Sequence, residues 1–263
     1  MASRQSITNL FGALLLVGYA VLATGCITTT EGGFTDQASP DRAREERVSL
    51  ARQYIAEGNW DSAKRNLELA KQIDPDSADV HEAFGLLYQR TGELELAEEN
   101  FSQSVSLDRN CSRCRNNYAA FLYSQERYKQ AEDQLERVVR DTLYSARPQA
   151  FVNLGLCRLK LFNDQGAEEA FMRALSMDRT NRIALLELAD LRFAAGDITN
   201  AQKYYETYRS LVRQQSARGL WLGIRIARQT GDKDAEASYE LALSNLFPTS
   251  AEYEAFQRTQ NGE

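Results

Sequence analysis

The sequence predicts an all-α protein, a right-handed superhelix of about six helix-turn-helix repeats. Three observations predict it. The chain repeats itself at a spacing of 34 residues: Leu50-Ala51-x-x-Tyr54 lines up with Phe84-Gly85-x-x-Tyr88, Gly58 with Gly92, Ala63 with Ala97 and Leu67 with Phe101. The same frame then runs on, with unit starts at Arg44, Ala78, Ser112, Pro148, Arg182 and Ser216 that differ by 34, 34, 36, 34 and 34 residues. Finally, 263 residues at 43% hydrophobic and 26% charged can bury a core, and the composition is not biased toward disorder. A fixed period of this length marks stacked repeats, each of which needs a neighbour to cover its apolar face.

The first element is an address rather than a structural unit. Arg4 gives a positive start, and an uncharged apolar run follows from Leu10 to Leu22. That run is shorter than the roughly 20 residues of a membrane-spanning helix. It ends in Leu22-Ala23-Thr24-Gly25-Cys26, small residues of the kind that precede a signal cleavage site. The segment resembles a bacterial lipoprotein signal with its lipobox, although Ala23 stands where Leu or Val is usual. The resemblance implies removal of residues 1–25 and lipidation of the Cys26 thiol. Ile27 follows the cysteine in place of Asp, which by the same resemblance implies the outer membrane, with the protein on its periplasmic face. Residues 26–42, rich in Thr, Gly and Ser and without a helical period, read as a flexible tether.

Residues 43–263 are the repeat domain with a C-terminal capping segment. Within each unit a small residue stands at position 8, a large one at 11, Ala at 20 and an aromatic or Leu at 24, with Gly near 15 in four units and an apolar residue at 4 in Phe151 and Leu185. This resembles the tetratricopeptide repeat. Asp74-Pro75 closes the first unit and Asp108-Arg109 the second. The third carries Tyr118, Ala119, Leu122, Ala131, Leu135 and Val138; the fourth Phe151, Leu154, Gly155, Ala167, Phe171 and Ala174. The fifth carries Leu185, Leu188, Ala189, Gly196, Ala201, Tyr205 and Tyr208, and the sixth Leu222, Gly223, Ala235, Tyr239 and Ala242. The longer step falls at Arg140–Arg147, read as an extended loop. Phe247-Pro248 ends the last helix, and Tyr253 and Phe256 beyond it are placed to cap the final apolar edge.

Several function classes are disfavoured by this sequence. A net charge of −6 and a pI near 5.1 argue against a nucleic-acid partner. The single histidine, His81, falls at packing position 4 of the second unit, so neither a His-based metal site nor a Ser-His-Asp site is expected. Carboxylate pairs such as Glu98-Glu99 lie on second helices among polar neighbours. No phosphate loop is present, and no cofactor or catalytic residue is expected. Cys111-Ser112-Arg113-Cys114 is a C-x-x-C without a βαβ setting, which favours a structural bridge over redox chemistry. Cys111, Cys114 and Cys157 allow at most one intramolecular disulfide, either Cys111–Cys114 or one that reaches Cys157.

The concave face is the candidate binding surface. Positions 2, 5, 9, 12 and 13 of each first helix are expected to line it without being needed for packing. They place Leu86, Tyr123, Leu156, Leu159, Leu186, Asp190 and Phe193 in one groove, with Ile55, Val152 and Ile183 as further members. Apolar residues in a row suit an amphipathic helix or an extended peptide of a partner protein.

Longer strings carry a narrower resemblance. Asn116-Asn117-Tyr118-x-x-Phe121-Leu122, Asn153-Leu154-Gly155-Leu156-Cys157, Leu220-Trp221-Leu222-Gly223-Ile224-Arg225-Ile226-Ala227-Arg228 and Leu246-Phe247-Pro248-x-Ser250-x-Glu252 are similar to the type IV pilus biogenesis/stability lipoproteins of the PilF/PilW pilotin type. The resemblance implies a non-catalytic, outer-membrane-anchored scaffold. Its partner would be the pilus secretin subunit, whose localisation and multimerisation it supports, or another pilus assembly protein. A repeat lipoprotein serving outer-membrane barrel insertion or polysaccharide export is the alternative. Many relatives carry a cysteine where this chain has Tyr123, paired with the counterpart of Cys157, so that bridge is not expected here.

One outcome follows from the address alone. Cys26→Ser should abolish recovery of the protein in the outer-membrane fraction, because a lipid chain rather than the acidic body would hold it there. Unchanged fractionation of the variant would place the anchor elsewhere.

Overall fold

The computed structural model describes residues 39–260. The signal segment, Cys26 and most of the tether lie outside the described residues. Thirteen helices follow one another without a strand among the described residues. The first repeat is α1 (Pro40–Glu57) and α2 (Trp60–Ile73), and the second α3 (Ala78–Thr91) and α4 (Leu94–Leu107). The third is α5 (Ser112–Ser124) and α6 (Tyr128–Val138), the fourth α7 (Arg147–Lys160) and α8 (Asp164–Met177). The fifth is α9 (Arg182–Ala194) and α10 (Ile198–Leu211), the sixth α11 (Ala217–Thr230) and α12 (Lys233–Leu246), and α13 (Ala251–Gln260) closes the chain. Each helix pair packs on the next, as expected for a tetratricopeptide superhelix. One boundary moves: residues 40–42, read above as the end of the tether, already belong to α1. Pro40 begins that helix because its fixed φ suits a first turn, whose N–H groups have no intrahelical acceptor.

Local chemistry sets the helix ends. Asn59, Asn163, Asn181, Asp197, Ser216 and Asp232 each accept a hydrogen bond from a backbone N–H in the first turn of the following helix. The turn between the two helices of a repeat requires a left-handed residue. Gly58, Gly92, Gly196 and Gly231 supply it in four repeats, whereas Glu126 (φ 59°) and Phe162 (φ 57°) hold it in the third and fourth. The Phe162 side chain is 94% exposed, so no packing compensates its backbone strain.

The core runs along the stack as a chain of clusters. Val48, Ala51, Ala63, Leu67, Val80 and Phe84 join the first two repeats, and Phe101, Phe121, Leu122, Leu135 and Leu154 carry the core on through the fourth. Val152, Phe171 and Leu188 bridge the fourth and fifth repeats, and Leu185, Tyr205, Leu222 and Ile226 the fifth and sixth. Leu220, Ile224 and Leu243 form the last cluster, and Tyr253 and Phe256 of α13 lie against it as the expected cap. His81 is structural: its ring nitrogens lie 3.0 Å from the Asn100 side-chain oxygen and 3.0 Å from the Pro75 carbonyl oxygen.

Positions 8 and 24 decide how closely the helices of a pair approach. Where position 24 is Phe101 or Phe171, position 8 is Gly85 or Gly155. Where it is Leu67 or Leu135, position 8 is Ala51 or Ala119. A Cβ added at Gly155 would lie 2.5 Å from the Phe171 ring, and one at Gly85 would lie 2.7 Å from Phe101. Both rings are fully buried and cannot move aside.

Gly155→Ala should therefore lower stability by about 1–3 kcal/mol through overpacking. Phe162→Gly should raise it by about 1 kcal/mol by relieving the left-handed strain. Urea unfolding followed by far-ultraviolet circular dichroism checks both, and a Gly155→Ala midpoint at the wild-type value would refute the tight contact.

Candidate protein-binding groove

The first helices of the repeats, α1, α3, α5, α7, α9 and α11, present the predicted groove, but position 5 behaves differently from expectation. Val48, Glu82, Val152, Leu186 and Leu220 all stand at that position, and all are buried. Leu186 is only 9% exposed and belongs to the cluster with Tyr205 and Leu222. Its assignment to the open groove is corrected, as are those of Val152 (0% exposed) and, at position 12 of the first repeat, Ile55 (8% exposed). The reason is that successive first helices close on one another, so position 5 faces the neighbouring repeat.

Ile183 is exposed, and the other predicted residues are half-buried. Leu86 packs where the first two repeats meet the third. Leu156 and Leu159 lie on the edge of the Val152–Phe171–Leu188 cluster. Tyr123 stands edge-on to Tyr128, with ring centres 5.2 Å apart. Tyr123 and Leu156 come together, and with Ala119, Ala120, Leu135, Asn153 and Cys157 they line an apolar cavity of about 100 Å³. Asp190 and Phe193 come together one repeat further on, around a residue the sequence reading passed over. Arg225 donates to Asp190 at 2.8 Å, and its guanidinium lies 4.9 Å from the centre of the Phe193 ring and 5.7 Å from that of Trp221. Leu86 shares neither group.

Charge locks flank the apolar centre. Glu82, fully buried on α3, accepts from Arg52 of α1 and from Arg113 and Asn117 of α5. Burial pushes its carboxyl above the ordinary range, against the pull of Arg52. At the other end, Arg218 of α11 forks onto Glu187 and reaches Asp190 at 2.9 Å. Hydrogen bonds to Glu187 raise the Arg218 pKa. Between the locks, α5 and α7 are joined only lightly on this face, through Asn153 donating to Asn116 at 3.2 Å. A signal for the locks was present in the sequence: Arg218 and Arg225 are seven residues apart, on one face of a helix, one repeat after Glu187 and Asp190.

The cysteines resolve to one of the two open alternatives. Cys111 and Cys114 form the disulfide, and Cys157 is free and buried. The bridge closes a very short loop, so it constrains the unfolded chain little. Burial pushes the Cys157 thiol up to about 12, with the Glu132 charge adding to the effect. Tyr123 lines the same recess as Cys157, and no second sulfur is there.

Comparison with known proteins agrees with this architecture. Models of the tetratricopeptide repeat family match residues 78–111, 115–182 and 186–251. The type IV pilus assembly protein PilF of Pseudomonas aeruginosa is 37% identical over 246 residues, which cover 93% of this chain and 97% of that protein. A solved structure of Pseudomonas aeruginosa PilF superimposes with a TM-score of 0.80 at 38% identity, over 84% of this chain and 99% of that one. The crystal structure of PilW, a type IV pilus biogenesis factor, gives a TM-score of 0.71 at 27% identity, over 82% and 99%.

Two outcomes follow from the burial pattern. Leu186→Ala should cost about 2–5 kcal/mol of stability, as a core truncation does, when measured by thermal or urea unfolding. Native protein treated with a thiol-specific chromogenic reagent at pH 8 should show no fast-reacting thiol from the repeat domain, and unfolding in guanidinium should expose one, that of Cys157. A fast native reaction lost in Cys157→Ser would contradict the buried assignment.

Proposed function

Because the chain belongs to the family of tetratricopeptide-repeat type IV pilus biogenesis proteins that includes PilF and PilW, we propose that it supports localisation and multimerisation of the pilus secretin. It does so as a non-catalytic scaffold that binds another protein. The observation that carries this reading is likeness across nearly the whole length of a pilus assembly protein, 97% of it, and not across the repeats alone. In this reading the protein is tethered to the outer membrane by a lipid on Cys26, with the repeat domain in the periplasm. The signal-like segment and Cys26 support that placement, and no described helix is long and apolar enough to cross a membrane.

The groove suits such work through its division into locked ends and an apolar centre. The charge pairs at Glu82 and at Glu187–Asp190 hold the first helices in register without a partner. Tyr123 and Leu156 leave a small apolar recess between α5 and α7, sized for part of one aliphatic or aromatic side chain. An anchor residue of a bound segment fills it and removes apolar surface from water, and Leu159 and Phe193 extend the contact along the face.

The test is the state of the secretin on a denaturing gel. Deleting the gene should convert heat-resistant secretin multimers to monomers, and the wild-type gene should restore them. Tyr123→Ala with Leu156→Ala should fail to restore them and should weaken secretin binding at least about tenfold, with helicity kept. Normal multimers in the deletion strain together with lost surface pili would move the role to pilus stability. Normal multimers and normal pili would sink the proposal.

A further inference from the structure

A second site lies away from the groove, at the end of the third repeat where the loop before α5, the first turn of α5 and the C-terminal end of α6 meet. A cavity of about 700 Å³ is lined by Arg109, Asn110, Ser112, Arg115, Arg137, Arg140 and Asp141. A recess of about 410 Å³ between α4 and α6 shares Arg109, Arg115 and Arg137 with it. None of the groove residues lines either one. Four guanidiniums thus face a single carboxylate, in a chain whose net charge is −6.

The arginines are not held by acids. Among the described residues, none of Arg109, Arg115, Arg137 and Arg140 forms a salt bridge, whereas Arg113, Arg127 and Arg158 nearby all do. Arg115 is only 5% exposed. Its guanidinium donates to the Arg109 carbonyl oxygen at 2.8 and 2.9 Å and to Gln134 at 2.6 Å, all neutral acceptors. Burial lowers its pKa, and the charges of Arg137 and Arg109 lower it further, against the pull of Asp108. The two nearby acids are turned to other work. Asp141 accepts from the Ser112 hydroxyl at 2.6 Å and the Leu143 N–H at 3.0 Å, and Asp108 accepts from the Asn110 N–H at 2.8 Å. A buried cation with no acid in ion-pair contact, beside three more of like charge, is an unfavourable arrangement that a bound anion would relieve.

We propose that this cavity binds a phosphate group, carried by a diphosphate or by the headgroup of an anionic lipid. Three features select that chemistry. Guanidinium forks match phosphate oxygens in bidentate pairs, and several can share one group. A phosphate presents up to about two negative charges and three strong acceptors, whereas a carboxylate neutralises one guanidinium. No lining residue is apolar, so the site offers no anchor for the side chains of a peptide. The Asn110 side-chain amide, beside the N-terminus of α5, adds a neutral donor at the rim.

The experiment uses the mature full-length protein and two probes, inorganic pyrophosphate and short-chain phosphatidylglycerol held below its micelle-forming concentration. Calorimetry should show saturable one-to-one binding of at least one probe, weakened by salt and accompanied by a rise in melting temperature. Pyrophosphate alone binding identifies a soluble diphosphate as the source, and phosphatidylglycerol binding as tightly identifies a headgroup. Arg137→Ala with Arg140→Ala, both exposed side chains whose loss spares the core, should weaken binding by about tenfold or more. Arg179→Ala with Arg182→Ala, an equal charge loss at exposed positions elsewhere, should leave it unchanged. Absence of binding by both probes overturns the proposal, as does equal weakening by the two double variants. Tighter binding of a hexaglutamate peptide than of either probe also overturns it, in favour of an acidic protein segment. Secretin multimerisation in the Arg137→Ala/Arg140→Ala strain separates this site from the groove, because the groove reading stands whether or not the anion binds.

Discussion

The contact between positions 8 and 24 is the constraint on which the rest of the stack depends. Two helices of a pair can bury a phenylalanine between them only if the facing helix presents no Cβ, and Gly85 and Gly155 meet that condition against Phe101 and Phe171. Where the large residue is smaller, as at Leu67 and Leu135, alanine suffices at Ala51 and Ala119. Volume is thus conserved across the contact while its division between the two helices varies, which is how a close-packed interior tolerates changes of sequence. The fifth repeat breaks the rule in an informative way. Ala189 faces Tyr205, whose ring instead crowds Gly223 of the next repeat, and its hydroxyl donates to Gln215 at 2.6 Å. The close approach is moved to the boundary between repeats, and Tyr205 and Tyr208 become part of the joint.

Once pairs are packed, the joint between repeats falls to the first helices, and position 5 carries it. In most repeats that residue is aliphatic. In the second it is Glu82, fully buried, which turns one joint into an ion-pair network that spans three first helices. Breaking such a network by removing one partner leaves an uncompensated buried charge, so it fixes register more than it adds net stability. The Glu187–Asp190–Arg218–Arg225 group does the same near the other end of the stack. Between these two networks the same face carries the apolar recess lined by Tyr123 and Leu156, which under the proposed function receives a partner side chain.

The chain carries two surfaces of opposite character. The groove face is held by charge pairs and opens on apolar side chains. The arginine cavity lies at the end of the third repeat, beside the start of α5 and the end of α6, and is short of negative charge in an acidic protein. An adaptor that meets a protein on one face and a phosphate-bearing group on the other would use both, and α5 carries residues of each, Tyr123 toward the groove and Arg115 in the cavity.

The sequence by itself determined the fold class, the number of repeats, where most repeats begin and the capping role of Tyr253 and Phe256. All of these follow from residue size and turn chemistry repeated at a fixed period. It left open which cysteines pair. It misplaced Leu186, Val152 and Ile55, because whether a groove position is open or buried depends on how far successive repeats rotate, and the period alone does not contain that rotation. It missed Arg218, Arg225 and Glu82 as locks and Arg115 as an unpaired cation, because a charge takes its meaning from what stands opposite it some thirty residues away. Only the tertiary structure decided those pairings, since the low dielectric of a buried joint is created by the packing itself.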